Sequence, residues 1–238
     1  MMPASGSDAG GVAPLKGRYI ALAMLIVVYT LNFLDRQIIS ILKDPIAKEL
    51  NLTDTQLGLM GGLAFAILYT TLAIPIAWLA DRKSRVWIMT WALGIWSAFT
   101  ALCGLTQNFI QLFFARMGVG VGEAGGVAPA YSLIADYFPP KQRARALAIY
   151  SFGIPVGSAA GILFGGLLAQ YVDWRFAFVS IGLFGVLIAP AFRLLVKDPP
   201  RNLYDAKPVS EKALGFIPAC RLAFAKPTFW LLAFGAAF

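Results

Sequence analysis

The sequence has no histidine. This excludes His-based catalytic triads, zinc sites of the HExxH kind, histidine-ligated haem and histidine proton relays. It has two cysteines, Cys103 in an apolar stretch and Cys220 in a basic one, too few for a metal cage and poorly placed for a structural disulfide. Charge is scarce: 13% of residues are Asp, Glu, Lys or Arg, about half the share of a soluble domain. Residues 1–14 lack the basic start and short apolar core of a cleaved signal peptide, so residues 1–17 read as a disordered tail.

What is present is apolar. Of 238 residues, 59% are hydrophobic and the mean hydropathy is +0.71. A water-soluble chain of this length cannot bury so much apolar surface. The expectation is an all-α integral membrane protein with spans over residues 18–42, 55–80, 86–105, 109–137, 144–172 and 176–196. Continuous runs of this length are twice what a transmembrane strand shows. Residues 197–226 read as a loop with an amphipathic surface helix around residues 212–224. Residues 227–238 read as the start of a seventh helix, or as a short interfacial segment.

The formal net charge of +8 has a topological reading. With the N-terminus inside, 15 of the 20 basic residues fall in cytoplasmic segments, against Lys43, Lys48 and Arg175 outside and Arg36 and Arg116 within spans. That bias places the N-terminus in the cytoplasm, of a plasma membrane or a bacterial inner membrane, and removes any need to invoke nucleic acid.

The charges inside the spans are the candidate machinery. In the first helix stand Asn32, Phe33, Leu34, Asp35 and Arg36; in the fourth, Arg116, Gly120 and Glu123 share one face at i, i+4 and i+7. Ionisable groups in a span face a partner or a wet cavity. Counting about 1.5 Å per residue, Asp35 and Arg116 lie at one depth and can pair, with Glu123 about 10 Å deeper and no evident fixed partner. Low dielectric makes a carboxylate hold its proton, and a nearby guanidinium reverses this. The arrangement reads as a proton pathway through Asp35 and Glu123, or as a static ion pair holding two helices together. No nucleophile–base pair appears in the spans, which argues against an enzyme.

Two further motifs concern movement. The turn Asp81-Arg82-Lys83-Ser84-Arg85 offers charges for contact with a neighbouring helix end, with Asp81 favoured at a helix N-terminus; plain positive-inside anchoring is the alternative. In the fifth helix, Gly153, Gly157 and Gly161 recur every fourth residue and Pro155 loosens the backbone ladder. Such a helix can tilt against a neighbour or simply pack tightly.

Together these motifs resemble the major facilitator superfamily. The turn at residues 81–85 is similar to its signature between helices 2 and 3, with Ala77 and Ser84 where glycine is usual. Arg116 with Gly120 resembles the helix 4 signature. Residues 153–166 resemble the helix 5 signature, with Pro155 displaced from its commonest place. Within the superfamily, residues 32–36 together with residues 120–124 look most like the spinster branch, whose members move sphingolipids, lysophospholipids and related amphipaths. The resemblance implies two inverted three-helix repeats forming the N-terminal half of a twelve-helix fold, with the other six-helix half and membrane lipids as partners. It implies Asp35 and Glu123 as proton-coupling residues and no cofactor beyond the proton. Arg36 and Arg116 would meet a charged headgroup, with Phe33, Tyr69, Tyr131 and Tyr150 along an amphipathic substrate. Asp81, Arg82, Arg85, Gly153, Pro155, Gly157 and Gly161 would gate it. Two other expectations remain open: a carrier of small organic anions or drugs, and a binding protein that does not transport.

Overall fold

In the computed structural model residues 15–204 and 215–235 are described, and every element among them is helical. In chain order these are α1 (Arg18–Leu50), α2 (Asp54–Gly58), a π turn (Leu59–Leu63), α3 (Ala64–Ala80), α4 (Arg85–Cys103), α5 (Phe109–Glu123), α6 (Val127–Tyr137), α7 (Pro140–Ser151), α8 (Gly153–Tyr171), α9 (Trp174–Leu195), α10 (Phe216–Phe224) and α11 (Pro227–Gly235). Five stretches are long and apolar enough to cross a membrane: Arg18–Leu50, Asp54–Ala80, Arg85–Cys103, Pro140–Leu168 and Trp174–Leu195. The sixth span is made by α5 and α6 together. The expected tail at residues 1–17 lies largely outside the described residues, as do residues 205–214 and 236–238.

Polar residues set where several helices begin. Thr53 forms a capping box with Gln56, Ser84 accepts from the Trp87 amide, Asn108 from the Gln111 amide and Asp173 from the Arg175 amide. Each satisfies an amide that the first turn leaves without a helical acceptor.

The structure departs from the sequence expectation in three helices. The first runs to Leu50, past the expected end at residue 42: Leu42 and Ile46 are fully buried and carry it through Pro45. It closes on Asn51 in the left-handed conformation, whose amide returns to the Ala47 carbonyl. The fourth span, expected to be continuous over residues 109–137, breaks at residues 124–126. Pro129 cannot donate to the Gly125 carbonyl, and Gly122, Gly125 and Gly126 are poor helix formers. The fifth breaks at Phe152 for the same reason, since Pro155 leaves the Ser151 carbonyl without its helical donor.

The described residues up to Tyr204 form one compact unit. Its four main seams are α1 on α8, α4 on α9, α4 on α5, and α3 on α5. The core holds Ile38, Leu42, Trp96, Phe178 and Phe192. The Asp54–Ala80 stretch differs: only 11% of its most apolar window is buried within the chain. A helix apolar all round and so little covered belongs in lipid or against further protein. The second unit begins at Asp205; in it Phe224 stacks on Trp230, whose indole donates to the Phe224 carbonyl (2.9 Å).

Candidate functional site

The intramembrane charges converge where α1, α4 and α5 meet. Asp35 and Arg36 are neighbours on α1 and so point about 100° apart. Asp35 is buried and accepts from the Thr100 hydroxyl of α4 (3.1 Å). Arg36 turns the other way and its Nε donates to Glu123 of α5 (2.8 Å). Glu123 therefore does have a fixed partner, contrary to expectation, and among the described residues Asp35 and Arg116 form no ion pair. The Arg116 guanidinium instead acts on both carboxylates through space. The inversion follows from reach: arginine's long stem lets Arg36 cross to Glu123, while the shorter Asp35 is taken by the hydroxyl facing it.

This cluster is incompletely bonded. One oxygen each of Asp35, Glu123 and Asn32, and two guanidinium nitrogens of Arg116, are buried with no hydrogen-bond partner among the described residues. Asp35, Arg116 and Glu123 are each at most 2% exposed. Buried polar atoms left unsatisfied are few in folded proteins and costly, and a cluster of them calls for a specific explanation, a functional role among them.

Aromatic rings surround the cluster. The Arg36 guanidinium lies over Phe33 (5.4 Å), Phe65 (4.8 Å) and Tyr69 (4.9 Å), a cation–π cage on its half-exposed side. Tyr29 stacks on Tyr150 (4.3 Å), and Tyr131 meets Tyr150 edge-on (5.8 Å). Tyr150 is buried, whereas Tyr131 is 43% exposed. The four aromatic residues singled out in the sequence thus form a wall continuous with Tyr29 and Phe65.

The residues assigned to gating fall in two places. At the α3–α4 turn, Asp81 is not at a helix N-terminus: it caps the C-terminus of α3 with its side chain exposed, because α4 starts three residues later on Ser84. Arg82 stacks on Trp78 (3.9 Å). Arg85 is fully buried and bonds Asp198 through Nε (3.1 Å), Asp136 and Ser132 through Nη1, and the Pro199 carbonyl through Nη2 (2.9 Å). Arg201 donates to the carbonyls of Ala80, Asp81 and Lys83. The segment after α9 is thereby fastened across the start of α4 and the end of α6.

The second place is the seam between α8 and α1. A Cβ on Gly153 would meet Tyr29 at 3.0 Å, one on Gly157 would strike the Thr30 carbonyl, and one on Gly161 would meet Gln37 at 2.7 Å. The glycine stripe lets α8 lie directly on the α1 backbone. Pro155 is exposed, in the first turn of α8.

Residues 25–238 match the Major Facilitator Superfamily. The chain belongs to this superfamily. It is 37% identical over 220 residues to an MFS-type efflux pump of Mycolicibacterium smegmatis, covering 92% of this chain and 50% of that one. It is 34% identical over 199 residues to human protein spinster homolog 1, covering 82% and 37%. Among solved structures it is similar to a bacterial homologue of the human lysosomal transporter spinster in an inward-facing, unoccupied conformation. There the TM-score is 0.80 at 41% identity, over 94% of this chain and 53% of that chain. The chain spans about a third to a half of the length of the curated relatives it matches. As a superfamily member it is a multi-pass membrane protein of a family of carriers rather than enzymes.

For this member of the superfamily, sequence reasoning missed Thr100, Tyr29 and Phe65 around the cluster, and Asp136, Asp198 and Arg201 at the α3–α4 turn. Thr100 lies in a run that reads as ordinary span, and nothing local marks it. Asp136 carried a usable signal, an acid at the end of a span beside a basic loop.

Proposed function

We propose that this chain forms the six-helix N-terminal half of a secondary active transporter that works by alternating access. Asp35 and Glu123 exchange protons, and Arg36 and Arg116 meet the charged end of an amphipathic substrate of the sphingolipid or lysophospholipid type. The wall of Phe33, Tyr69, Tyr131 and Tyr150 takes its apolar part. The reading rests on one observation above the rest: two carboxylates and the Arg116 guanidinium are buried together with several of their atoms unsatisfied, beside the partly exposed Arg36 and an aromatic wall that reaches the surface at Tyr131. Such groups have more than one bonded arrangement open to them, which a proton or an anionic headgroup can select.

The second six-helix half is the partner, and the barely covered Asp54–Ala80 stretch supports that expectation. The glycine seam on α1 supports rocking of α8, and the Arg85 joint, with Asp81 and Arg82 in the same turn, keeps helix ends together while it does so. The basic bias supports a cytoplasmic N-terminus, in a plasma membrane or bacterial inner membrane. A second reading, a carrier of small organic anions or drugs with the same machinery, is favoured by the similarity to an efflux pump at 37% identity.

The test uses the full-length protein in proteoliposomes with an imposed pH gradient and labelled lysophospholipid. Asp35→Asn and Glu123→Gln are each expected to abolish gradient-driven uptake. Wild-type rates in both variants would refute proton coupling. Substrate counterflow separates a carrier from a receptor: binding without exchange across the closed membrane means the latter. Uptake of organic anions in place of lysophospholipid selects the second reading.

A further inference from the structure

Away from the buried cluster, a cleft of about 450 Å³ opens between α3, α4 and α5. Its apolar wall includes Ile76, Leu79, Trp91, Ile95 and Val121, and its mouth holds Lys83 and Ser84. From Ser84 to Ile95 the lining residues of α4 recur at helical spacing, a stripe about 16 Å long at 1.5 Å per residue. Polarity therefore falls along its length, from an ammonium and a hydroxyl at one end to aliphatic and indole surface along the rest. The cleft faces outward from the bundle: Leu79, Trp87, Trp91 and Ile95 are all exposed.

The mouth is positive. The Lys83 side chain is exposed there, and the amino end of the 19-residue α4 adds the positive end of its dipole. Arg193 stacks over Trp87 at 4.7 Å, its buried Nε without a hydrogen-bond partner among the described residues. Two acids are close. Asp198 is occupied by Arg85 and the Val86 amide, and Asp81 is exposed two residues before Lys83.

We propose that this cleft binds one acyl chain of an anionic glycerophospholipid, with the phosphodiester at Lys83 and the start of α4. An apolar slot with a cation at one end complements a lipid of that charge, and exposed indoles beside it suit the membrane interface. The occupant's leaflet, the cytoplasmic one, rests on the orientation proposed above; the binding does not, and neither depends on transport.

The test is native mass spectrometry of the full-length protein released from mild detergent, titrated with phosphatidylglycerol or with phosphatidylcholine carrying the same chains. One phosphatidylglycerol is expected to remain bound about fivefold more tightly than phosphatidylcholine, the discrimination one basic residue supplies at a membrane surface. Lys83→Gln should remove the preference and leave chain binding. Leu79→Trp, which fills the slot, should remove both lipids while the lipid-free melting temperature stays at the wild-type value; Val121→Phe serves if Leu79→Trp does not fold. Equal retention of the two lipids by the wild type would overturn the proposal. So would a preference that survives Lys83→Gln, or lipid retained in the filled variant. A photoreactive benzoylphenylalanine in place of Trp91 should crosslink to lipid in the membrane. Crosslinking to another protein segment instead would mean the cleft is covered by polypeptide, and would overturn the proposal equally.

Discussion

Arg85 and Arg116 are both buried to within 2% of full exclusion, and they are bonded in opposite ways. Every nitrogen of the Arg85 guanidinium donates: to Asp198, to Asp136 and Ser132, and to the Pro199 carbonyl. Two nitrogens of Arg116 have no hydrogen-bond partner among the described residues. A buried charge is tolerable when paired and hydrogen-bonded and costly otherwise. Arg85 thus has one arrangement far below all others, the property of a joint. Arg116 lies over the Phe65 ring (5.7 Å) in the field of two carboxylates, with no ion pair among the described residues, so no single hydrogen-bonded arrangement is imposed on it. Burial alone does not distinguish a fastening from a working part; the completeness of the hydrogen bonding does.

Breaking the joint should give the largest loss of stability. Arg85→Met leaves Asp136 buried beside an apolar chain, and removing one partner of such a pair costs about 3–5 kcal/mol. The expected outcome is a correspondingly lowered unfolding midpoint in detergent, with most of the loss recovered when Asp136→Leu is added. A loss under about 1 kcal/mol, the range of exposed pairs, would remove the distinction between the two arginines.

The α8–α1 seam comes next and sharpens the contrast from the side of packing. In Gly157→Ala the added methyl strikes the Thr30 carbonyl, and overpacking of this kind costs about 1–3 kcal/mol. Gly166, in the same helix, has nothing within 4 Å of its Cβ position. Gly166→Ala should be neutral, or stabilising by up to about 1 kcal/mol. The pair is read by thermal unfolding of the two variants side by side. Equal effects would mean that α8 does not bear on α1 through its glycines.

Much of this was legible in residues. Apolar runs located the spans, Thr53, Ser84, Asn108 and Asp173 stand where helices begin, and the four-residue spacing of Gly153, Gly157 and Gly161 anticipated a smooth face. Asp35, Arg116 and Glu123 were legible as one group because helix period and depth bring them together. Their pairing was not. Period fixes the direction in which Asp35 and Arg36 leave α1, but the choice between Arg36 and Arg116 as partner of Glu123 depends on side-chain reach and on Thr100, which carries no local signal. The breaks at residues 124–126 and at Phe152 were readable in principle from Pro129 and Pro155, each of which leaves the carbonyl four residues earlier unpaired. The π turn at Leu59–Leu63 has no comparable marker. Asp198, and the pairing of Asp136 with Arg85, became visible only when the chain after α9 folded back over the start of α4.

The smallest effect on stability is expected where the functional stakes are highest. Asp35→Asn keeps an oxygen to accept from Thr100, retains the shape of the side chain and removes a charge that is buried without a salt bridge. Replacing such a group by a neutral isostere is close to neutral, within about 1 kcal/mol in either direction, because the cost of burying the charge disappears along with its attraction to Arg116. Arg116 meanwhile keeps Glu123 in its field. Unfolding midpoints of Asp35→Asn and Arg85→Met measured together therefore test the comparison directly. Wide separation of the two, with gradient-driven uptake lost in Asp35→Asn, is the signature of a cluster whose bonding is left open for use. An Asp35→Asn loss as large as that of Arg85→Met would make the cluster a second joint, and the movement would then have to be sought in the glycine seam alone.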